Sequence, residues 1–170
     1  MDKNQFWAII ERSCEESHGR SEDQLAAVRR QLEALSPEDI AAFHSRFDEC
    51  VAEAHRSELR SAAYVINGDC SDEGFEYFRN WLISKGRKVY EAALRDPETL
   101  SEVAADPDDC QFEEIGYVAT QVWERKTGKD LSRFPFPDLE RPDSPSGEDW
   151  SEDSDELERR FPKLWKRFAS

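Results

Sequence analysis

The sequence predicts an all-α fold: a single compact multi-helix domain with an extended acidic C-terminal linker and a short docking terminal segment. Two observations lead there. Apolar side chains recur at the spacing of one helix face through most of the first 128 residues. Between these stripes stand helix starts and stops of recognisable chemistry, at Ser36-Pro37-Glu38-Asp39, Asn67-Gly68, Ser71-Asp72-Glu73 and Gly128. At 170 residues the chain suits one domain, able to remove about 70% of its unfolded surface from water.

The first helix runs from Asn4 to about Glu16, with Phe6, Ile9, Ile10 and Cys14 on one stripe. Ser21-Glu22-Asp23-Gln24 has the form of a capping box, in which the serine accepts from a first-turn amide and the glutamine reaches back. A second helix follows, turning Leu25, Val28, Leu32 and Leu35 inward. Ser36 caps the third, Pro37 takes the first helical position, where its missing N–H costs nothing, and two acids sit at the positive end of the dipole. This helix buries Ile40, Phe43, Phe47, Cys50, Val51 and Ala54 and continues, with a bend near Ser57 to Ser61, to a stop at Asn67-Gly68. A short strand at Tyr64-Val65-Ile66 with a hairpin turn after it is the other reading, and it lacks a partner strand.

Ser71 caps the next helix, which carries Asp72 and Glu73 in its first turn and ends at Lys85-Gly86. Arg87 to Leu94 is helical again, either after a break or across Gly86. Asp96-Pro97-Glu98 restarts a short helix bearing Leu100 and Val103. Asp106-Pro107-Asp108-Asp109 ends that one and caps a last core helix, striped by Phe112, Ile115, Val118, Ala119 and Val122.

Beyond Gly128 the texture changes. Phe134-Pro135-Phe136-Pro137 is held extended by its prolines and lays aromatics on the core. Residues 138–158 hold ten acids and one base, a composition that stays solvated as a linker, whereas residues 159–170 hold five bases and no acid. The boundaries are therefore a helical domain at 1–137, an acidic linker at 138–158 and a basic aromatic segment at 159–170. Phe161, Trp165 and Phe168 would be wasted on a free end, so that segment is expected to dock, on its own acidic body or on a partner.

A formal net charge of −15 disfavours a nucleic-acid groove and an anionic membrane surface, both of which need clustered Lys and Arg. The N-terminus has no basic start and no apolar run of signal length. Cys14, Cys50, Cys70 and Cys110 are far apart in sequence, and His18, His44 and His55 are not spaced as ligand pairs. Neither a disulfide framework nor a metal site is indicated, and the expectation is a cytoplasmic protein with no cofactor.

The densest chemistry lies in Asn67 to Leu82. On a wheel of about 100° per residue, Arg79 falls within about 40° of Phe75 and points into the apolar sector, with Asp72 and Glu76 on the same side. A charge so placed must be paired or must line a cleft. One reading is a pocket in which Arg79 binds an anion or a partner's carboxylate while Asp72 or Glu76 holds it; the other is a staple to a neighbouring element. Tyr77 and Trp81 form a second aromatic face, so the candidate binding residues are Asp72, Glu76, Arg79, Tyr77 and Trp81. Cys70 at a helix N-terminus would gain thiolate character from the dipole, but Asp69, Asp72 and Glu73 oppose it. No phosphate loop, nucleophile elbow or metal motif is present, and no catalytic residue is nominated.

Ala62-Ala63-Tyr64-Val65-Ile66-Asn67-Gly68, followed by Cys70 to Arg79 and Trp81-Leu82-Ile83, resembles a bacterial domain-of-unknown-function family, the one numbered 4240. Phe6-Trp7, the Pro97 region and the Phe112-to-Gly128 helix are similar too. The resemblance spans about the first 128 residues and implies a small bacterial cytosolic protein, with no established activity, substrate or catalytic residue. Where relatives tend to have tryptophans just upstream, this chain has Ser57 and Arg60; where they tend to have Gly-Gly and Asp-Asp, it has Gly68-Asp69 and Asp72-Glu73. A pocket lined by those tryptophans would be altered here. The function expected from these readings is a non-catalytic acidic protein-interaction module of regulatory or toxin-neutralising type, with a basic protein as partner. The alternative is a small enzyme or anion-binding domain with a cleft around Asp72 and Arg79.

Overall fold

The computed structural model describes residues 1–104 and 106–169. Among them the fold is all-α, without strands. Its α-helices are α1 (Lys3–Ser17), α2 (Ser21–Glu33), α3 (Pro37–Glu53), α4 (Ser57–Asn67), α5 (Asp72–Ser84), α6 (Arg87–Arg95), α7 (Val118–Thr127), α8 (Ser154–Arg160) and α9 (Pro162–Phe168), with short 3₁₀ turns at Pro97–Glu102, Pro107–Asp109, Glu114–Gly116 and Leu131–Arg133. The centre is α5, which touches α1, α3, α4 and α6. Eight of its thirteen residues are buried, so it has core on more than one side.

Several starts and stops are those the sequence announces. Ser36 accepts from the Asp39 amide with Pro37 following, and Ser71 accepts from the Gly74 amide at 3.0 Å. Gly68 and Gly128 end α4 and α7 at φ of 76° and 70°, the left-handed region open to glycine. Gly86, at φ 100°, settles the open question between α5 and α6 as a break.

Other boundaries differ. The capping box forms at the head of α1, where Asp2 and Gln5 exchange bonds at 2.8 and 2.9 Å, and not at Ser21. The helix begins at Ser21 itself, and Gln24 is turned into the core, donating at 2.7 Å to the Ser84 carbonyl at the end of α5. A buried carbonyl without a partner costs more than a first-turn amide left to water, so the glutamine goes inward. The long third helix is two helices. Arg56 is extended at the break, and its guanidinium donates to the carbonyls of Glu53 and Leu94. The Tyr64–Ile66 strand is not formed. Phe112 and Ile115 are buried as expected, but ahead of α7, in a loop and a 3₁₀ turn.

Past α7, Phe134 is buried against Trp123 and His44 while Phe136 is half exposed. His44 Nε2 and the Arg141 guanidinium both reach the Asp48 carboxylate, at 3.2 and 2.8 Å. From Pro135 to Glu156 no residue is buried. Residues 154–158, expected as solvated linker, lie in α8, and Leu157, Phe161 and Leu164 are buried. The carboxylate of Glu98 accepts from the Lys163 and Leu164 amides at 2.9 and 3.1 Å, a cap for α9 supplied from another part of the chain.

Replacing Glu98 by Ala removes that cap, so stability is expected to fall by about 1–2 kcal/mol. Amide exchange read by mass spectrometry should quicken over residues 161–169 before elsewhere; unchanged exchange there would contradict the anchoring role. Asp48 gives a pH dependence. Burial alone would raise its carboxyl, but the bond and charge of His44, with Arg141, outweigh burial and hold it below 3.8. A depressed folded pKa adds stability above the unfolded value, and that stability is lost as pH falls through the folded one. Asp48→Asn should therefore lower Tm near neutral pH, and the gap to the native chain should close below about pH 4. A gap unchanged between pH 7 and 3 would refute this.

Candidate functional site

The loop joining α4 to α5 is short and polar. Asp69 accepts from the Cys70 amide at 2.7 Å, and Ser71 caps α5, which fixes the Cys70 carbonyl where α4 can reach it. Arg60 of α4 does so: Nη2 donates to that carbonyl at 3.0 Å, and Nη1 pairs with Asp72 at 2.8 Å. Its side chain is 12% exposed, and Nε is buried without a hydrogen-bond partner.

Arg79 lies one turn beyond Phe75 and folds back over it, with the guanidinium carbon 4.6 Å from the ring centroid. Its Nη1 donates at 2.8 Å to the Val51 carbonyl in the last turn of α3, the negative end of that helix, and Nε lies 3.4 Å from the Phe75 carbonyl. Burial lowers its pKa to about 10, with Glu76 opposing and Arg60 adding to the fall, so it stays charged at neutral pH. The same Phe75 ring stands 5.7 Å from the Arg60 guanidinium and 5.7 Å from the His55 ring. Burial, then Arg79 and Arg60, lowers the His55 pKa, against an opposing pull from Asp72. Trp150, from the acidic stretch, covers Arg60 at 4.9 Å and leans on Tyr64 at 5.8 Å.

The five candidate residues are thus divided among four places. Arg79 is 8% exposed and faces inward, held by backbone carbonyls. Asp72 is exposed and pairs with Arg60. Glu76 is exposed on the outer side of α5, with Tyr77 half-buried beside it. Partial burial and a hydrogen bond from its hydroxyl to Glu113 push the Tyr77 pKa up to about 12, with Glu73 and Tyr117 adding to the rise. Trp81 faces a different opening, a cleft of about 500 Å³ lined also by Arg20, Lys85, Asp108 and Phe112, with the Lys85 ammonium 5.6 Å from its ring.

Arg60 and Trp150 are the residues the spacing argument missed. Arg60 flanks the apolar stripe of α4 one residue after Leu59, and Trp150 is a lone tryptophan in an otherwise acidic run; each is a signal when read for contrast with its neighbours. Three of the four thiols are poor nucleophiles. Burial is the main cause that pushes Cys50 and Cys110 up to about 12 and Cys70 to about 11, so all three stay protonated. Among the described residues no group of three or more His, Cys, Asp or Glu side chains is placed to hold a metal ion, and no helix is long and apolar enough to cross a membrane.

Residues 1–125 match the model of the family described as "Protein of unknown function (DUF4240)". The chain belongs to that family. No curated protein matches it, and no solved structure does.

Arg79→Met should cost about 2–3 kcal/mol, because the Val51 carbonyl loses a charged donor inside the core, which is a fall in Tm of roughly 5–10 °C for a chain of this size. Arg79→Lys should recover only part of it, since one ammonium cannot stack on Phe75 as a planar guanidinium does. Thermal unfolding followed by circular dichroism measures both; a methionine variant as stable as the native chain would remove the staple from the account.

Proposed function

We propose that this chain is a non-catalytic protein-interaction module whose outer α5 face takes a basic segment of a partner protein. One observation carries the reading. Glu73 and Tyr77 on α5 lie beside Glu113 and Tyr117, which flank the Glu114–Gly116 turn, and Glu76 and Glu114 are exposed on the same two elements, so that this face pairs carboxylates with two tyrosines. The two elements are drawn together by the Phe112 amide, which donates to the Tyr77 carbonyl at 3.0 Å, and by Gly116, where a Cβ would stand 3.0 Å from Asn80 Nδ2. Arg79, the cation nearest in sequence, points the other way.

Such a face offers a lysine or arginine both Coulomb attraction and a ring to lie on. Tyrosine is well suited to this work, giving contact area at little cost in side-chain entropy. The raised pKa values of Cys50, Cys70 and Cys110, which burial keeps protonated, support a binding role over a nucleophilic one. The reading places the protein in the cytoplasm, and four free cysteines suit a reducing compartment.

The combined variant Glu73→Gln, Glu76→Gln and Glu113→Gln tests it in native lysate. The unaltered chain should retain a stoichiometric partner at about 0.1 M salt and release it at about 1 M, where the screening length shrinks to about 3 Å. The variant should retain none at either concentration. A failure to capture anything at low salt, or capture indifferent to the three substitutions, would end the proposal.

A further inference from the structure

We propose that the ground beneath Trp150 is a binding site for a small aromatic carboxylate, and that Trp150 is its built-in competitor. This site is separate from the outer face of α5. It is formed by Arg60, Arg79, His55 and Phe75, and the case for it is one of unbalanced charge. Two guanidiniums and an imidazole gather round one phenylalanine ring in a chain of net charge −15. Among the described residues a single carboxylate, Asp72, comes within 4 Å of either guanidinium, and its side chain is 88% exposed. Buried cations normally have anions to match. Arg60 also keeps Nε buried with nothing to donate to; a group of this kind calls for an acceptor.

The present cover supplies half of what such a ligand would bring. The Trp150 ring lies over the Arg60 guanidinium at 4.9 Å, and neither Glu148 nor Asp149 forms an ion pair with Arg60 or Arg79. A ring in the same place that carries its own carboxylate keeps the cation–π contact and adds the missing anion.

The cover is also lightly held. From Pro135 to Glu156 no residue is buried; Phe136 rests on His44 and Phe134, Trp150 on Tyr64, and the other ties are polar, Arg141 to Asp48, and Ser146 to the backbone of His55 and Ser57 at 2.9 and 2.8 Å. Segments with few buried apolar contacts open at low free-energy cost. A ligand would therefore displace the Trp150 ring without unfolding the body.

The test uses the full-length chain, native and Trp150→Ala, titrated with indole-3-propionate by calorimetry. If the strap occupies its site nine-tenths of the time, removing the ring should tighten binding about tenfold. Indole-3-propionamide, the neutral isostere, should bind at least about tenfold more weakly than the acid, the loss of one charge-assisted pair. In the native chain, saturating indole-3-propionate should quicken amide exchange at Ser146 and its neighbours while leaving α5 unchanged. Absence of saturable binding to a Trp150→Ala chain of native helicity would overturn the proposal. So would equal affinity for acid and amide, or ligand binding that leaves exchange in the strap unaltered.

Discussion

A charged side chain in the core must find oxygen atoms, and Arg79 decides how the centre of this fold is arranged because of that need. Its guanidinium can reach the end of α3 only if α3 stops near Glu53. Had the helix run on to Asn67, the Val51 carbonyl would have been taken by the residue four positions ahead. The break at Ala54 to Arg56 frees the Val51 and Glu53 carbonyls, which take the Arg79 and Arg56 guanidiniums, while the Cys50 carbonyl keeps the Ala54 amide and accepts the Tyr90 hydroxyl at 2.7 Å as a second donor. Two elements distant in sequence, α5 and α6, are thereby tied to one helix end. Helix ends leave carbonyls unsatisfied, and here they serve as the sockets into which the rest of the core plugs.

The same logic runs through the periphery with the sign reversed. The carboxylate of Glu98 meets the amides at the start of α9, and the basic character of that segment then faces an acidic body. Burial of Leu157, Phe161 and Leu164 supplies the attraction, while the cap sets the register. Between this anchor and Phe134 no residue is buried, and the chain crosses the surface as a strap held by polar ties and by the rings of Phe136 and Trp150.

Most of the helices were legible because their signals are local. Ser36-Pro37, Ser71 and Gly128 act within a turn of themselves, and nothing distant overrides them. The misreadings share a cause of another kind. Ser21 to Gln24 has capping-box form, yet Gln24 is spent on the Ser84 carbonyl, sixty residues away. Arg79 is legible as a charge aimed at apolar neighbours that must be paired or stapled to a neighbouring element, but no local signal says that the acceptor is the Val51 carbonyl of α3. Likewise Asp72 belongs with Arg60, across the loop from α4. Helical spacing shows which residues share a face; it carries no information about which carbonyl of another helix that face will meet.

These allocations change what α5 offers. A helix with buried residues on more than one side has little surface left, and here the exposed remainder is nearly uniform in charge: Asp72, Glu73 and Glu76. Arg60 neutralises only Asp72, at the head of the helix, and Arg79 is drawn beneath the surface by the α3 carbonyl, which leaves Glu73 and Glu76 without an ion pair among the described residues. Satisfying the core has therefore separated charge across one helix, positive within and negative without. An acidic outer face and a cluster of cations around the Phe75 ring are the two results of that separation.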